Sequence, residues 1–235
     1  MERNNYPLFE EVLKRLDDNS ILDHVVVVGS WAIYLYTEYF RSTDYYPAIR
    51  TRDVDFLVQV PSRISSKRNF NEIIEDLGFV EELVGDEGYT RYSHPDLIIE
   101  FLVNEKGRGY SKPPYIEKLG VTPQPLRFLD LLESGKLKVS FNGMTVTVPH
   151  PANFALHKLL ISARRNENYK GENDRRQAIK LIDDLTNNGD SDSLAPVFSS
   201  LPLTWQKTIT AELSTLDRGD IITLLTLEKT KQSTQ

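Results

Sequence analysis

Two carboxylates two residues apart, Asp53 and Asp55, follow a Gly-Ser pair, Gly29 and Ser30, in the stretches VVVVGSWAIYLY (25–36) and RTRDVDFLVQV (50–60). Four valines ending in Gly-Ser read as a buried strand that delivers its last residues to the start of a helix. Free backbone N–H groups and the positive end of the helix dipole there suit an anion such as a phosphate. Asp-Val-Asp opens a second apolar run, and residues two apart on a strand face the same way, so both carboxylates project together. Like charges that close repel unless a cation sits between them, and oxygen-rich pairs are what Mg²⁺ prefers. A phosphate cradle facing a cation-binding carboxylate pair is the layout of a phosphoryl-transfer site. Each half alone has an ordinary explanation, N-capping for Gly-Ser and a solvated strand end for Asp-x-Asp. Their order on a strand-helix-strand frame carries the inference.

The elements that must position these residues follow from periodicity. PLFEEVLKRLD (7–17) has helical spacing with proline near its first turn. A strand at 25–28, a helix at 30–40 and the Asp-x-Asp strand at about 53–60 come next. Ser65 and Ser66 are positioned to cap a helix through Leu77 that Gly78 ends. After a turn at Gly85–Gly88, DLIIEFLV (96–103) reads as a strand, followed by a Gly/Pro-rich stretch (107–125) and a short helix (126–133). KVSFNGMTVTVP (138–149) alternates on both arms around Asn142-Gly143, a hairpin signal. From Pro151 the period is helical, over roughly 151–168, 174–187, 203–215 and 218–230. The expected division is therefore an α/β domain over 1–149 and an α-helical domain over 150–235.

The chain has 235 residues, 40% of them hydrophobic, enough for one sizeable domain or two small ones. A formal charge of −6 argues against a general polyanion-coating protein but leaves room for a local basic groove. The absence of cysteine excludes disulfides, thiolate zinc sites and cysteine nucleophiles. The four histidines, His24, His94, His150 and His157, show no close metal spacing. MERNNYPLFEE lacks a signal-peptide core, and no apolar run approaches the ~20 residues that span a membrane. A cytoplasmic protein without a membrane partner is the expectation.

Gly-Ser at a helix start followed by Asp-x-Asp on the next strand resembles the signature of the nucleotidyltransferase-fold superfamily, related to DNA polymerase β. GSWAIYLY and RTRDVDFLV are similar to a bacterial group of stand-alone nucleotidyltransferase-like proteins, distantly akin to abortive-infection type IV toxins and antibiotic nucleotidyltransferases. The resemblance implies a nucleotidyltransferase fold, α/β (α+β), with a mixed sheet flanked by helices and a C-terminal helical domain completing the nucleotide site. The 22 residues between Ser30 and Asp53 exceed the spacing of compact members, leaving TEYFRSTDYYPAI (37–49) as an insertion, either a substrate-facing loop or a packed flap.

The resemblance also asks for a third carboxylate on a neighbouring strand, and Glu100 in LIIEFL fits. A carboxylate amid apolar residues is costly to bury unless paired or metal-bound. The alternative is a Glu on the open face of an edge strand, with Asp96 as fallback ligand. The stretch 148–185 resembles the second signature of the group. Carried over from it, Lys158 contacts the triphosphate, Arg165 joins it seven residues on, and Lys170 and Asp174 match later positions, Asp174 as an N-terminal cap or a cation's partner. On spacing alone these are solvated helix charges. Arg50 and Arg52 flank the Asp pair, Arg52 reading as a structural ion-pair residue. Trp31, Tyr34 and Tyr36 read as helix-packing residues.

The implied reaction moves a nucleoside monophosphate from an NTP to an acceptor hydroxyl. Asp53 and Asp55 hold two Mg²⁺ (or Mn²⁺) ions, Glu100 completes the set and accepts the acceptor proton, and Gly29, Ser30 and Lys158 seat the phosphates. The acceptor is left open among an RNA 3′ end or tRNA, a protein side chain and a small molecule. The alternatives are a toxin with an antitoxin partner using the same chemistry, and a nucleotide-binding regulatory protein without turnover. The acidic balance weighs against RNA, although Arg164, Arg165, Arg175 and Arg176 are positioned to form a local patch.

Overall fold

A computed structural model describes residues 6–40, 51–59, 61–65, 68–105, 107, 110, 114–165 and 169–232. Arg50, Ser66 and residues 41–49 of the tyrosine-rich segment lie outside the described residues. Packing divides the described chain into two compact units, residues 6–39 with 51–149, and Phe40 with residues 150–232.

The first unit begins with α1 (Pro7–Asp18), whose Phe9, Val12, Leu13 and Leu16 are buried on one stripe, the spacing of a helix laid on a core. After β1 (Val25–Val28) come α2 (Gly29–Leu35) and α3 (Thr37–Phe40). The expected single helix over 30–40 is thus broken at Tyr36. There the Thr37 hydroxyl donates to the Tyr34 carbonyl at 2.9 Å, and the buried Tyr36 hydroxyl donates to the Pro149 carbonyl, also at 2.9 Å. β2 (Asp53–Val58), α4 (Phe70–Ile74), β3 (Val80–Val84), β4 (Tyr89–Ser93), β5 (Ile98–Asn104), β6 (Gln124–Leu126) and α5 (Leu129–Ser134) follow. The hairpin β7 (Lys136–Phe141) and β8 (Met144–Pro149) closes the unit.

The main sheet runs β1-β2-β5-β4-β3, with β6 beside the far end of β5. β2 and β5 are parallel, as are β5 and β6; the other pairs are antiparallel, so the sheet is mixed. All four valines of β1 are buried although the strand stands at the sheet's edge, because β8 packs over it.

Alternation gives β2 and β5 two unlike faces. Val54, Phe56, Ile99 and Phe101 are buried on one, while Asp53, Asp55 and Glu100 project from the other. The apolar face is tied by rings: Phe56 to Phe101 at 5.8 Å, and Phe70 of α4 edge-on to both Phe101 (4.8 Å) and Tyr92 of β4 (4.9 Å). α4 is capped by Asn69, which accepts from the Glu72 N–H at 2.9 Å, rather than by Ser65. Gly78, at φ +83°, ends the following turn as expected. The β3–β4 hairpin around Gly85–Gly88 exceeds the turn expected there. β3 is VEELV, almost wholly exposed, so no apolar alternation announced it.

The helical unit is built on α6 (Pro151–Ser162), buried nearly all round, against which α7 (Tyr169–Asn187), α8 (Leu194–Ser200) and α9 (Leu203–Thr215) pack. α10 (Gly219–Gln232) lies on α8 and α9. α8 was not among the expected helices. Among the described residues no helix is long and apolar enough to cross a membrane.

Phe70 holds the apolar face from which the carboxylates are turned away. Phe70→Ala is expected to lower the unfolding free energy by about 3–5 kcal/mol, read by urea denaturation.

Candidate functional site

β1 delivers the chain to Gly29 at φ +68°, a left-handed conformation that a side chain resists. Space is the second constraint: a Cβ placed on Gly29 would lie 2.7 Å from Asp55 Oδ2. The backbone that opens α2 is therefore packed directly against one carboxylate of the Asp-x-Asp pair, as the register Val28↔Asp55 requires. The Ser30 hydroxyl hydrogen-bonds the Thr51 hydroxyl, two residues before Asp53. Thr51 carried no motif in the sequence, and only the fold brings it to Ser30. Asp53 is exposed and Asp55 half-buried.

Glu100 stands opposite Asp55 in the parallel pairing of β2 and β5, so the three expected carboxylates share a sheet face. β5 is an interior strand, flanked by β2 and β4, which removes the edge-strand alternative. Glu100 is not free, however. Arg91 of β4, its register partner on the other side, donates from Nε to Oε1 at 2.7 Å, and its Nη2 lies 2.5 Å from the same oxygen. Sequence reading missed Arg91, which sits in the polar run YTRYS; a basic residue placed across the sheet from an acid in an apolar strand is the signal that could have found it. Arg52 turns away from the pair and donates to the Pro95 carbonyl at 2.5 Å, rather than making the expected ion pair.

Trp31 is buried, its ring 4.0 Å from Phe9 and 5.0 Å from Tyr6, in an aromatic cluster that also takes in Tyr34. The helix-packing expectation for Trp31, Tyr34 and Tyr36 describes them.

In the helical unit Lys158 and Arg165 meet on Asp174. Lys158 Nζ lies 2.7 Å from Oδ1 and Arg165 Nη1 2.7 Å from Oδ2. The Asp174 side chain is only 3% exposed, so two cations compensate a carboxylate that could not otherwise be buried as an ion. Asp174 is not an N-terminal cap, since α7 begins five residues earlier at Tyr169; of its two expected roles, the cation's partner is the one seen. Lys170 is exposed in the first turn of α7. Gly171 allows this approach, as a Cβ there would sit 2.8 Å from the Arg165 carbonyl. Arg175 is tied to Glu212 at 2.7 Å, and Arg176 donates to the neutral Asn173 amide, so Arg165 and Arg175 of the expected arginine patch face a carboxylate.

Beside Lys158, His157 is buried, with neither ring nitrogen partnered among the described residues. Burial, then Lys158 and Arg165, push its pKa down to about 3. His150 accepts the Ala152 N–H at the head of α6 and is also depressed by burial, against the opposing pull of Asp190.

Among the described residues no three histidine or acidic side chains converge as a ready metal cage. The donor set still fits a hard cation in part. Mg²⁺ is commonly bound through one or two carboxylates, with waters and substrate phosphates filling the rest, and Asp53 with Asp55 beside the Gly29 backbone offers that.

The mixed sheet carries one carboxylate of an Asp pair against the Gly-Ser segment, and sequence comparison gives the class: the chain belongs to the nucleotidyltransferase family, whose model matches residues 8–201. An antigenic nucleotidyltransferase-like protein from Paracoccidioides brasiliensis has a similar fold, with a TM-score of 0.52 at 16% identity, over 93% of this chain and 91% of that one. ANT(2″)-Ia, solved in complex with adenylyl-2″-tobramycin, gives a TM-score of 0.45 at 13% identity, over 89% and 97% of the two chains. No curated protein matches the sequence.

Gly29→Ala is expected to cost about 1–2 kcal/mol from the left-handed backbone alone, with more from the clash with Asp55, read by urea denaturation. His157 makes stability depend on pH. Its folded pKa is below the unfolded 6.5, so between 6.5 and about 3 the unfolded chain binds a proton that the fold refuses. Stability from this group is complete above pH 6.5 and falls by about 1.4 kcal/mol per unit as the pH drops through that window. His157→Leu should flatten the acid limb when unfolding is followed at pH 7, 5.5 and 4.5.

Proposed function

We propose that this protein transfers a nucleoside monophosphate from an NTP to an acceptor hydroxyl. The observation that carries the reading is the contact of the Asp55 carboxylate with the Gly29 backbone, which sets an acidic pair against the segment suited to a phosphate. In this reading the Gly29 and Ser30 backbone and the Ser30 hydroxyl, oriented by Thr51, seat the β- and γ-phosphates. Asp53 and Asp55, joined by Glu100, hold Mg²⁺ or Mn²⁺. When bound, two such ions neutralise charge building on the phosphoryl group and the leaving oxygen.

The acceptor oxygen forms a bond to the α-phosphorus while the α–β phosphoanhydride bond breaks, and pyrophosphate leaves. The hydroxyl proton passes to Glu100 Oε2, the oxygen outside the Arg91 grip. Lys158 and Arg165 form, with Asp174, a cationic pair whose chemistry suits phosphate. Compensation of Arg165 by Asp174 and of Arg175 by Glu212, with the net charge of −6, favours a small-molecule or protein acceptor over RNA. A second reading, nucleotide binding without turnover, has one observation in its favour: Glu100 is occupied by Arg91.

The test supplies four α-labelled NTPs with Mg²⁺ or Mn²⁺ and cell lysate. A labelled product is expected from the wild type, and Asp53→Ala/Asp55→Ala should lower its yield by at least roughly a hundredfold. Undiminished labelling by a folded double variant would sink the assignment. Bound nucleotide with no product from the wild type would favour the second reading.

A further inference from the structure

Arg91 stands in a row of alternating charge. Asp55, Glu100, Arg91 and Glu82 are in register across β2, β5, β4 and β3. Residues in register project to one face, and direct neighbours lie about 5 Å apart, so Arg91 has a carboxylate within reach on either side. It holds Glu100, by both Nε and Nη2 on the single oxygen Oε1. Glu82 is exposed and accepts the Ser93 hydroxyl at 2.8 Å. The Arg91–Glu100 pair is part-buried, with side chains 36% and 21% exposed, so water reaches both partners during an exchange.

An oxygen gripped by a guanidinium is not available to a cation. Asp55 and Glu100 are also like charges facing each other, which need a positive charge nearby when no metal is present. We propose that Arg91 is a positioning residue, an internal cation that occupies Glu100 Oε1 in the resting protein. It moves to Glu82 when a divalent ion takes that oxygen beside Asp53 and Asp55. The exchange keeps Arg91 paired throughout, and with the ion bound a cation stands between Asp55 and Glu100 as well as between Glu100 and Glu82. It rests on the nucleotidyltransferase reading, and it accounts for the lack of a ready three-carboxylate cage among the described residues.

The test is Mn²⁺ binding to the full chain without nucleotide, followed by the electron-spin signal of the free ion. Arg91→Gln should tighten binding roughly three- to tenfold by removing the competitor. In a Glu100→Gln background the same change should give no gain, because the competed oxygen is gone. Glu82→Gln, at an exposed position, should weaken binding about twofold or more by removing the alternative seat. A gain that persists without Glu100 is simple removal of a nearby positive charge and overturns the exchange. So does unchanged or weaker binding by an Arg91→Gln protein that retains the wild-type circular dichroism. Should that variant fail to fold, unchanged binding by Glu82→Gln overturns it. In each of these cases, binding that still requires Asp53 and Asp55 leaves the site reading intact. Binding that survives Asp53→Asn/Asp55→Asn, or no binding by wild type and Arg91→Gln alike, overturns both.

Discussion

The close approach of the Asp55 carboxylate to residue 29 governs the geometry of the α/β unit. A side chain there would need both a left-handed backbone and the space that Oδ2 already fills, and glycine alone meets both conditions. The consequence is electrostatic as well as steric. Backbone suited to an anion and a carboxylate that repels one are pressed together, so phosphate and carboxylate can be neighbours only with a cation shared between them.

The sheet keeps that arrangement by separating its two faces. Phe56, Phe101, Tyr92 and Phe70 interlock on one side, fixing the strands against sliding, since a one-residue slip would carry every acid into the aromatic layer. On the other side the charges are ordered, Asp55 and Glu100 together, then Arg91, then Glu82. The helical unit meets the same difficulty by another route. Asp174 is buried there because Lys158 and Arg165 take one oxygen each.

Much of this was legible in the sequence where a residue type violated its surroundings. Gly-Ser ended a run of valines, Asp-x-Asp opened an apolar strand, and Glu100 interrupted one; each was a chemical exception against a regular period. Arg91 and Thr51 broke no pattern, since both lie in polar segments, and only strand pairing gives them neighbours. β3 escaped for the same reason, being an exposed edge strand whose residues pack on nothing that would impose alternation. The helical period is clear only from residue 174, so Asp174 reads as a helix start; its position a turn and a half inside α7 makes it a buried counter-ion. The break at Tyr36 was hidden because the hydroxyl's partner lies 113 residues away in the chain.

That last bond has a bearing on how the molecule is made. β1 is covered by β8, and Tyr36 is fastened to the last residue of β8, so the strand and the Gly-Ser segment after it gain this cover only when residue 149 is present. At about 5–20 residues per second of synthesis, the valine strand waits on the order of ten seconds after leaving the ribosome. During that interval four consecutive β-branched residues have no native partner over one face. The nascent chain therefore carries an apolar strand without this cover through most of the synthesis of the α/β unit, at the sequence that leads into the candidate site.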